Sequence, residues 1–464
     1  MGYVPRSWCA RRFWLSLVFT LVARCSGSGV YWTVSPEIRN DLRKAKVGRQ
    51  LVPAMKEYHI SMWMVMNRDP HDDPDNIFGQ RTARQDPISE LIGAEETFYP
   101  AIFIFTDKGE HVALVERGDE DYIRATGIYE AVRCYTYTRQ RGIADLLTFV
   151  RQEVERLNPA TIGLNYTDDE PMADGLTVGG RMILEKALGP EYAARFVSAE
   201  MVAISLWGRK LPQEVEYIRQ SAQKAHLLIM GAFEQIVPGR TTERDIFNLI
   251  RQRMLANGWP VGWAQDICPI VRIHPKADAR PTDAVADLGD LVGINAGVTT
   301  KGYSDDLDRT AYVLRSGETA PPPEIQKMWR TLRRSVEAAR VAMKPGAIAS
   351  EVDRIARKVV TDAGYEEYWY QTGHPVGVWV HDLGPYIAPQ HPHYGKKIYM
   401  TLQPGDVFAV EPGVSAPVAA SGAKQRVHLQ EMIVVSESGG EYLIPPQEEI
   451  VLIHEVKTGV VRHR

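Results

Sequence analysis

Twice in the second half of this chain, a long amphipathic helical pattern runs into a Pro-Gly turn, a second helix and then apolar strands. The first copy spans 213–236, turns at Pro238-Gly239 and predicts a helix ending at Gly258. The second spans 324–343, turns at Pro345-Gly346 and predicts a helix ending at Gly364. Each second helix is expected to open on a Ser or Thr cap with an acid shortly after, Ser350 with Asp353 approximating a capping box in the second copy. A helix, turn, helix, strand unit used twice within one region predicts two structural halves related by pseudo-symmetry.

A chain of 464 residues is long for one core, so two domains are expected. From Tyr31 to about Met201 strands and helices alternate. The runs 101–106 and 111–115, joined by Asp107-Lys108-Gly109, predict a hairpin. Residues 143–157 have helical spacing and 160–165 read as a following strand. Near Trp207 the texture changes, and Pro212 stands in the first turn of a long helix. The expected division is therefore 1–28, 29–204 and 205–464. In the first of these, Arg6, Arg11 and Arg12 precede an apolar run from Phe13 to Ala23 and small residues from Ser26 to Gly29. This is the pattern of a secretory signal peptide cleaved near residues 25–29, and Arg11-Arg12 also resembles a twin-arginine signal. A periplasmic or extracellular location follows as the expectation. The run is too short to span a bilayer, and no later segment approaches ~20 apolar residues, so no stable membrane span is expected.

Composition excludes more than it selects. Apolar content of 44%, charged content of 24% and a net charge of −4 are ordinary for a globular protein and give no electrostatic basis for binding nucleic acid. Four cysteines without a close pair form neither a zinc ribbon nor a disulfide scaffold. Cys134 and Cys268 read as small buried apolar residues. Asp72, Asp73 and Asp75 read as a charged surface.

The chemistry lies further on. Between Gly293 and Tyr312, two apolar-flanked strands around a glycine turn carry Asn295, Asp306 and Asp308. His374 and His381 follow, seven residues apart. Glu411 comes next in Val-Glu-Pro-Gly, and then a late strand with His428, Gln430 and Glu431. Carboxylates and histidines in this order can converge on one divalent metal site. On a strand, residues two apart share a face, so Asp306 and Asp308 point one way and Asp305 the other, toward solvent. Asp308 is then either a metal ligand or an ion-pair partner.

These motifs resemble the metal site of the pita-bread metallopeptidases, the family of aminopeptidase P, prolidase and methionine aminopeptidase, with the metal-free creatinase. The resemblance covers about 205–455 and implies an α/β (α+β) fold: a creatinase-like N-terminal domain, then a pita-bread domain with the site between its halves. Gly302-Tyr303-Ser304-Asp305-Asp306-Leu307-Asp308-Arg309-Thr310 aligns the second family aspartate with Asp306. The first then falls on Asn295, an amide in place of a carboxylate. His374 aligns with the metal histidine, His381 with the substrate-facing histidine and Glu411 with a metal glutamate. His274 stands near a histidine that stabilises the reacting amide in the family, or else is a loop residue without a role. Registering the last strand on its apolar face puts Gln430 at the bridging glutamate, whereas a one-residue slip would put Glu431 there. His428 shares the face of Gln430, as an extra ligand or a substrate contact.

The resemblance thus implies metal-assisted hydrolysis. The expected metal set is Asp306, His374 and Glu411 for one firm dication (Mn, Zn, Co or Fe), with Asn295, Asp308 and Gln430 around a possible weak second. His381 and His274 are the expected catalytic side chains. The expected protein is an exported, homodimeric aminopeptidase or dipeptidase acting on Xaa-Pro-like bonds of small peptides. The alternative is a diverged creatinase-like C–N hydrolase or lyase acting on a small non-peptide metabolite.

Overall fold

A computed structural model describes residues 34–67, 87–94, 97–273, 279–417 and 424–454. The expected signal segment, Asp72, Asp73, Asp75 and His274 lie outside the described residues.

In the first half, the apolar runs seen in the sequence become one mixed sheet. Its strands are β1 (Met62–Asn67), β2 (Ala101–Thr106), β3 (His111–Glu116), β4 (Ala131–Tyr135), β5 (Ile162–Leu164) and β6 (Phe196–Ser198), in the order β4-β3-β2-β1-β5-β6. The hairpin expected around Asp107-Lys108-Gly109 is the antiparallel pair β2–β3. The expected helix is present at Ala144–Leu157 and packs on the face that also takes Val178–Ala193. The opposite face, with Trp63, Phe103 and Phe105, joins a core that continues into the second half through Trp207 and the helix Pro212–Phe233.

The second half holds both expected helix pairs, Pro212–Phe233 with Glu243–Ala256 and Pro323–Ala342 with Ala349–Asp362. The first pair leads into β7 (Ile270–Ile273), β8 (Leu291–Ala296), the short hairpin strands β9 (Thr299–Thr300) and β10 (Tyr303–Ser304), and β11 (Leu307–Val313). The second leads into β12 (Gly373–Pro375), β13 (Val407–Val410), β14 (Val414–Pro417), β15 (Lys424–Val427), β16 (Glu431–Ser436), β17 (Gly439–Tyr442) and β18 (Val451–Ile453). Two four-stranded sheets result, β18-β11-β8-β7 and β12-β13-β16-β17, with β18 parallel to β11 and the other neighbours antiparallel. Lys301 and Gly302 make the tight turn between β9 and β10, both at positive φ, where glycine costs least.

The caps differ between the two copies. Thr242 and Asp245 form a reciprocal capping box on the first pair. Ser350 does not cap the second, whose helix opens at Ile348. Its hydroxyl is buried without a partner, and Asp353 turns inward to Arg357 and Thr372.

The sheets meet where β11 passes β16. Arg309 on β11 and Glu431 on β16 are fully buried and paired at 2.9 Å. Arg309 also donates to the carbonyls of Asp308 and Gln430. Removing one partner of a buried pair strands a charge without solvent, at a cost of about 3–5 kcal/mol. Glu431→Ala should lower the unfolding free energy by about that much in urea titration. A variant as stable as the parent would show that the pair does not hold this junction.

Candidate metal centre

Period-two alternation along three strands brings the site together. Asn295 on β8 stands opposite both Asp308 on β11 and Ile270 on β7. Its Nδ2 donates to Asp306 Oδ1 at 2.7 Å and to Gln430 Oε1 at 2.8 Å. His374 on β12 sets its Nε2 3.4 Å from Asp306 Oδ2 and 3.6 Å from Glu411 Oε1. Its Nδ1 lies 3.3 Å from the carbonyl oxygen of Pro375, a contact that favours a proton on Nδ1 and leaves Nε2 as the lone pair. Gln371 Nε2 donates to that same Glu411 oxygen at 2.9 Å. The His381 ring lies 4.1 Å from the His374 ring, and ligand atoms of Asp306, His374 and His381 all fall within 4.8 Å of one another. These residues line one cavity of about 780 Å³, with Trp369, Tyr370 and Arg272 among its other walls.

The spacing around His374 Nε2 fits a dication. Ligand bonds of 2.0–2.2 Å at a tetrahedral angle put donor atoms about 3.4 Å apart, close to the 3.4 and 3.6 Å separations around His374 Nε2. Burial opposes charging of His374, but its hydrogen bond to Asp306 and the charges of Glu411 and Asp306 outweigh it and raise the imidazole above its ordinary value. The charge on His374, then burial, pushes His381 down to about 4. Burial pushes Glu411 up to about 7, against the pull of His374. A dication placed among these groups would favour their deprotonated forms.

The remaining candidates are placed differently. Asp308 lines the cavity but its Oδ2 accepts from Arg272 at 2.7 Å, while Oδ1 is buried without a partner. Asp305 is not solvated, as its face of the strand suggested. It is fully buried, accepts from the Val298 amide at 2.9 Å, and burial raises its carboxyl well above the usual range. The strand's second face is covered by the turn 297–305 itself, so alternation gave the direction and missed the cover. Gln430 faces the cavity and Glu431 faces away, toward Arg309 and the backbone N–H of Gln447. His428 also lines the cavity. Burial, with Arg272 and Arg426 beside it, pushes its imidazole well down.

Arg272 and Arg426 were not among the expected site residues, although the signal was present. Arg426, His428 and Gln430 are two apart, as are Ile270 and Arg272, and all five line the cavity. Of the two cysteines expected to be buried, Cys268 is buried and Cys134 is only half-buried; burial pushes both thiols up to about 11.

A raised folded-state pKa stabilises below the unfolded value and loses that contribution as pH rises through the folded one. Metal-free protein should therefore lose stability between about pH 4.5 and 7 as Glu411 ionises, with His374 acting in the same direction higher up. Metal affinity should rise over the same window, because the dication takes the deprotonated ligands. Unfolding midpoints across pH should show the Glu411 component vanish in Glu411→Gln. Glu411→Ala should abolish bound metal in elemental analysis, and full occupancy in that variant would remove Glu411 from the ligand set.

Three comparisons bear on this geometry. The description of Metallopeptidase family M24 fits residues 216–437. A Xaa-Pro dipeptidase of Pyrococcus furiosus is 26% identical over 243 residues, covering 52% of this chain and 64% of the relative. The chain spans about three fifths of the length of the curated relatives that it matches. Among solved structures, dipeptidase PepE from Mycobacterium ulcerans superposes with a TM-score of 0.60 at 21% identity, over 90% of this chain and 99% of that one. The X-Pro aminopeptidase from Thermotoga maritima MSB8 gives 0.57 at 20% identity, over 86% and 100%. Residues 216–437 carry the strands and helices that build the Asp306–His374–Glu411 cluster; this segment matches metallopeptidase family M24, and the chain shares the fold of the dipeptidase and aminopeptidase structures.

Proposed function

We propose that the protein is a metal-dependent peptidase that hydrolyses Xaa-Pro bonds of short peptides. The observation that carries this reading is the Asp306–His374–Glu411 cluster at ligand spacing in a domain whose relatives are named Xaa-Pro dipeptidases. A dication held there, one of Mn, Zn, Co or Fe, would supply Lewis-acid activation of water and of the scissile carbonyl. Everything else falls to the chain. His374 presents Nε2 because Pro375 occupies Nδ1. His381, its ring 4.1 Å from that of His374, can donate an N–H to the oxygen that gains charge. Gln371 donates to Glu411 and keeps it turned to the centre.

The amide pair supports a centre with one tightly held dication. Asn295 and Gln430 bring no charge and satisfy each other, and Asp308 is engaged by Arg272. The same pair is the observation that favours the second reading, a diverged C–N hydrolase or lyase acting on a small metabolite. Export and a homodimeric state belong to the proposal as well. Export is supported by the arginine-rich and apolar pattern of residues 6–29, and no described helix is long and apolar enough to cross a membrane.

Incubating the purified, Mn²⁺-loaded protein with Ala-Pro and Gly-Pro should release proline. Asn295→Asp combined with Gln430→Glu should bind a second dication and cleave faster. No hydrolysis of any Xaa-Pro peptide by protein that binds metal tightly would reject the peptidase and favour the metabolite enzyme. N-terminal sequencing of the secreted protein should begin after Cys25, and recovery of residues 1–10 would overturn cleavage.

A further inference from the structure

Every described residue that lines the metal-bearing cavity lies between Ile270 and Gln430, so the first half of the chain supplies none of its described walls. One stretch of wall is nevertheless held from that half. Pro389, Gln390, His391, His393 and Tyr394 line the cavity. His391 and His393 are also exposed, which sets this stretch at the cavity's open edge. It runs into the helical turns Pro392–Tyr399, which Gly395 interrupts at φ 64° and ψ −151°. Just beyond the wall come Lys396 and Lys397. Lys397 pairs with Glu170 and rests over the Tyr386 ring at 4.7 Å. The Lys396 ammonium pairs with Glu200 at 3.0 Å, and its backbone N–H donates to Asp169 Oδ2 at 2.7 Å. Glu170 and Glu200 are buried side by side, the Glu170 amide donating to Glu200 at 3.1 Å. Each buried carboxylate thus meets a lysine of the wall segment, and taking that lysine away would strand a charge without solvent. Gly395 lets the chain come this close, because a Cβ there would run into the Asp169 carboxylate and its positive φ favours glycine.

We propose that the Lys396–Glu200 and Lys397–Glu170 pairs, with Asp169 on the Lys396 amide, form a clamp by which the first half fixes the outer wall of the cavity, and that both lysines are positioning residues for substrate binding. Neither lysine lines the cavity, so each acts through the backbone that carries His393 and Tyr394. The Asp306–His374–Glu411 cluster does not depend on the clamp. Asp306 directly precedes β11, His374 lies on β12 and Glu411 directly follows β13, all within paired sheets. A wall already held in place loses little further conformational freedom when substrate arrives, whereas a loose one must be ordered at that moment. Cutting the clamp should therefore weaken the binding of ground state and transition state alike, so the loss falls on KM rather than on kcat. The effect on substrate rests on the proposed peptidase reading, but the clamp itself is measurable on the free protein.

The test pairs hydrogen–deuterium exchange of the full chain with Ala-Pro kinetics of the Mn²⁺-loaded protein. Lys396→Met and Lys397→Met should each speed exchange at the amides of 389–399 by about tenfold or more, with β11 and β13 unchanged. The KM for Ala-Pro should rise about fivefold or more, with kcat within about twofold of the parent. Lys397→Arg keeps a cation within reach of Glu170 and should stay near the parent in both readouts. Lys397→Met combined with Glu170→Gln removes the stranded charge. It should recover the unfolding midpoint lost in Lys397→Met while exchange and KM stay raised, whereas a defect of folding would recover all three. Gly395→Ala should raise exchange and KM in the same way without removing any charge. Parent-like exchange in Lys397→Met, a fall in kcat with KM unchanged, or recovery of KM in the double variant would each overturn the proposal. Faster exchange in the lysine variants without any Xaa-Pro cleavage by the parent rejects the peptidase and leaves the clamp standing. Cleavage by every variant with parent-like exchange and KM keeps the peptidase and removes the clamp.

Discussion

The Arg309–Glu431 pair decides which side of the late strand looks into the cavity. Both side chains are fully buried, and Arg309 also holds the Gln430 and Asp308 carbonyls. With Glu431 committed to that guanidinium, the residue before it must turn the other way, because strand side chains alternate. Gln430 is thereby delivered to Asn295 at 2.8 Å. Slipping the strand by one residue would put an amide against Arg309 and leave a full charge uncompensated, a cost far above what one new ligand would return. The chemistry at the metal centre is thus set by an ion pair that never touches it.

A second buried network joins the halves. Lys46, near the start of the described chain, pairs with Glu214 at 3.0 Å, and Tyr303 donates to the same carboxylate at 2.8 Å. Lys210 pairs with Asp382 at 2.9 Å, and the Trp207 indole donates to that aspartate too. Asp382 follows His381, and it also receives the amides of Val378 and Leu383. The loop bearing His381 is therefore fixed by Trp207 and Lys210, from the segment that opens the second half. A charged residue that far from the site acts on it through rigid backbone rather than through contact with substrate.

Much of this was legible in the sequence where local periodicity carries the information. Both helix pairs, the β2–β3 hairpin and the turn at Lys301-Gly302 follow from spacing and turn chemistry alone. The order of Asp306, His374 and Glu411 was legible as a pattern, and the structure brings Asp306 Oδ2 and Glu411 Oε1 to 3.4 and 3.6 Å from His374 Nε2. What stayed hidden depends on partners distant in sequence. Alternation sent Asp305 outward, but the returning turn covers it. Asp308 stood open between metal ligand and ion-pair partner because Arg272, on another strand, was invisible to it. Ser350 looked like a cap because the chain gives no sign that Ile348 starts the helix and that Asp353 is drawn in by Arg357.

The two amides and the two arginines are one electrostatic arrangement. A pair of unit charges about 4 Å apart is worth roughly 4 kcal/mol at an effective dielectric near 20. Exchanging two carboxylates for Asn295 and Gln430 removes that attraction twice over for any cation beside Asp306. Arg272 and Arg426 line the same cavity and add repulsion. Asn295 meanwhile performs, as a neutral donor, the task of holding Asp306 Oδ1 in place. Each change would be costly if it stood alone: the amides would leave the carboxylates under-compensated, and the arginines would repel a neighbouring dication. Together they are consistent, because an amide donor and two guanidiniums suit a cavity where a second cation is not favoured.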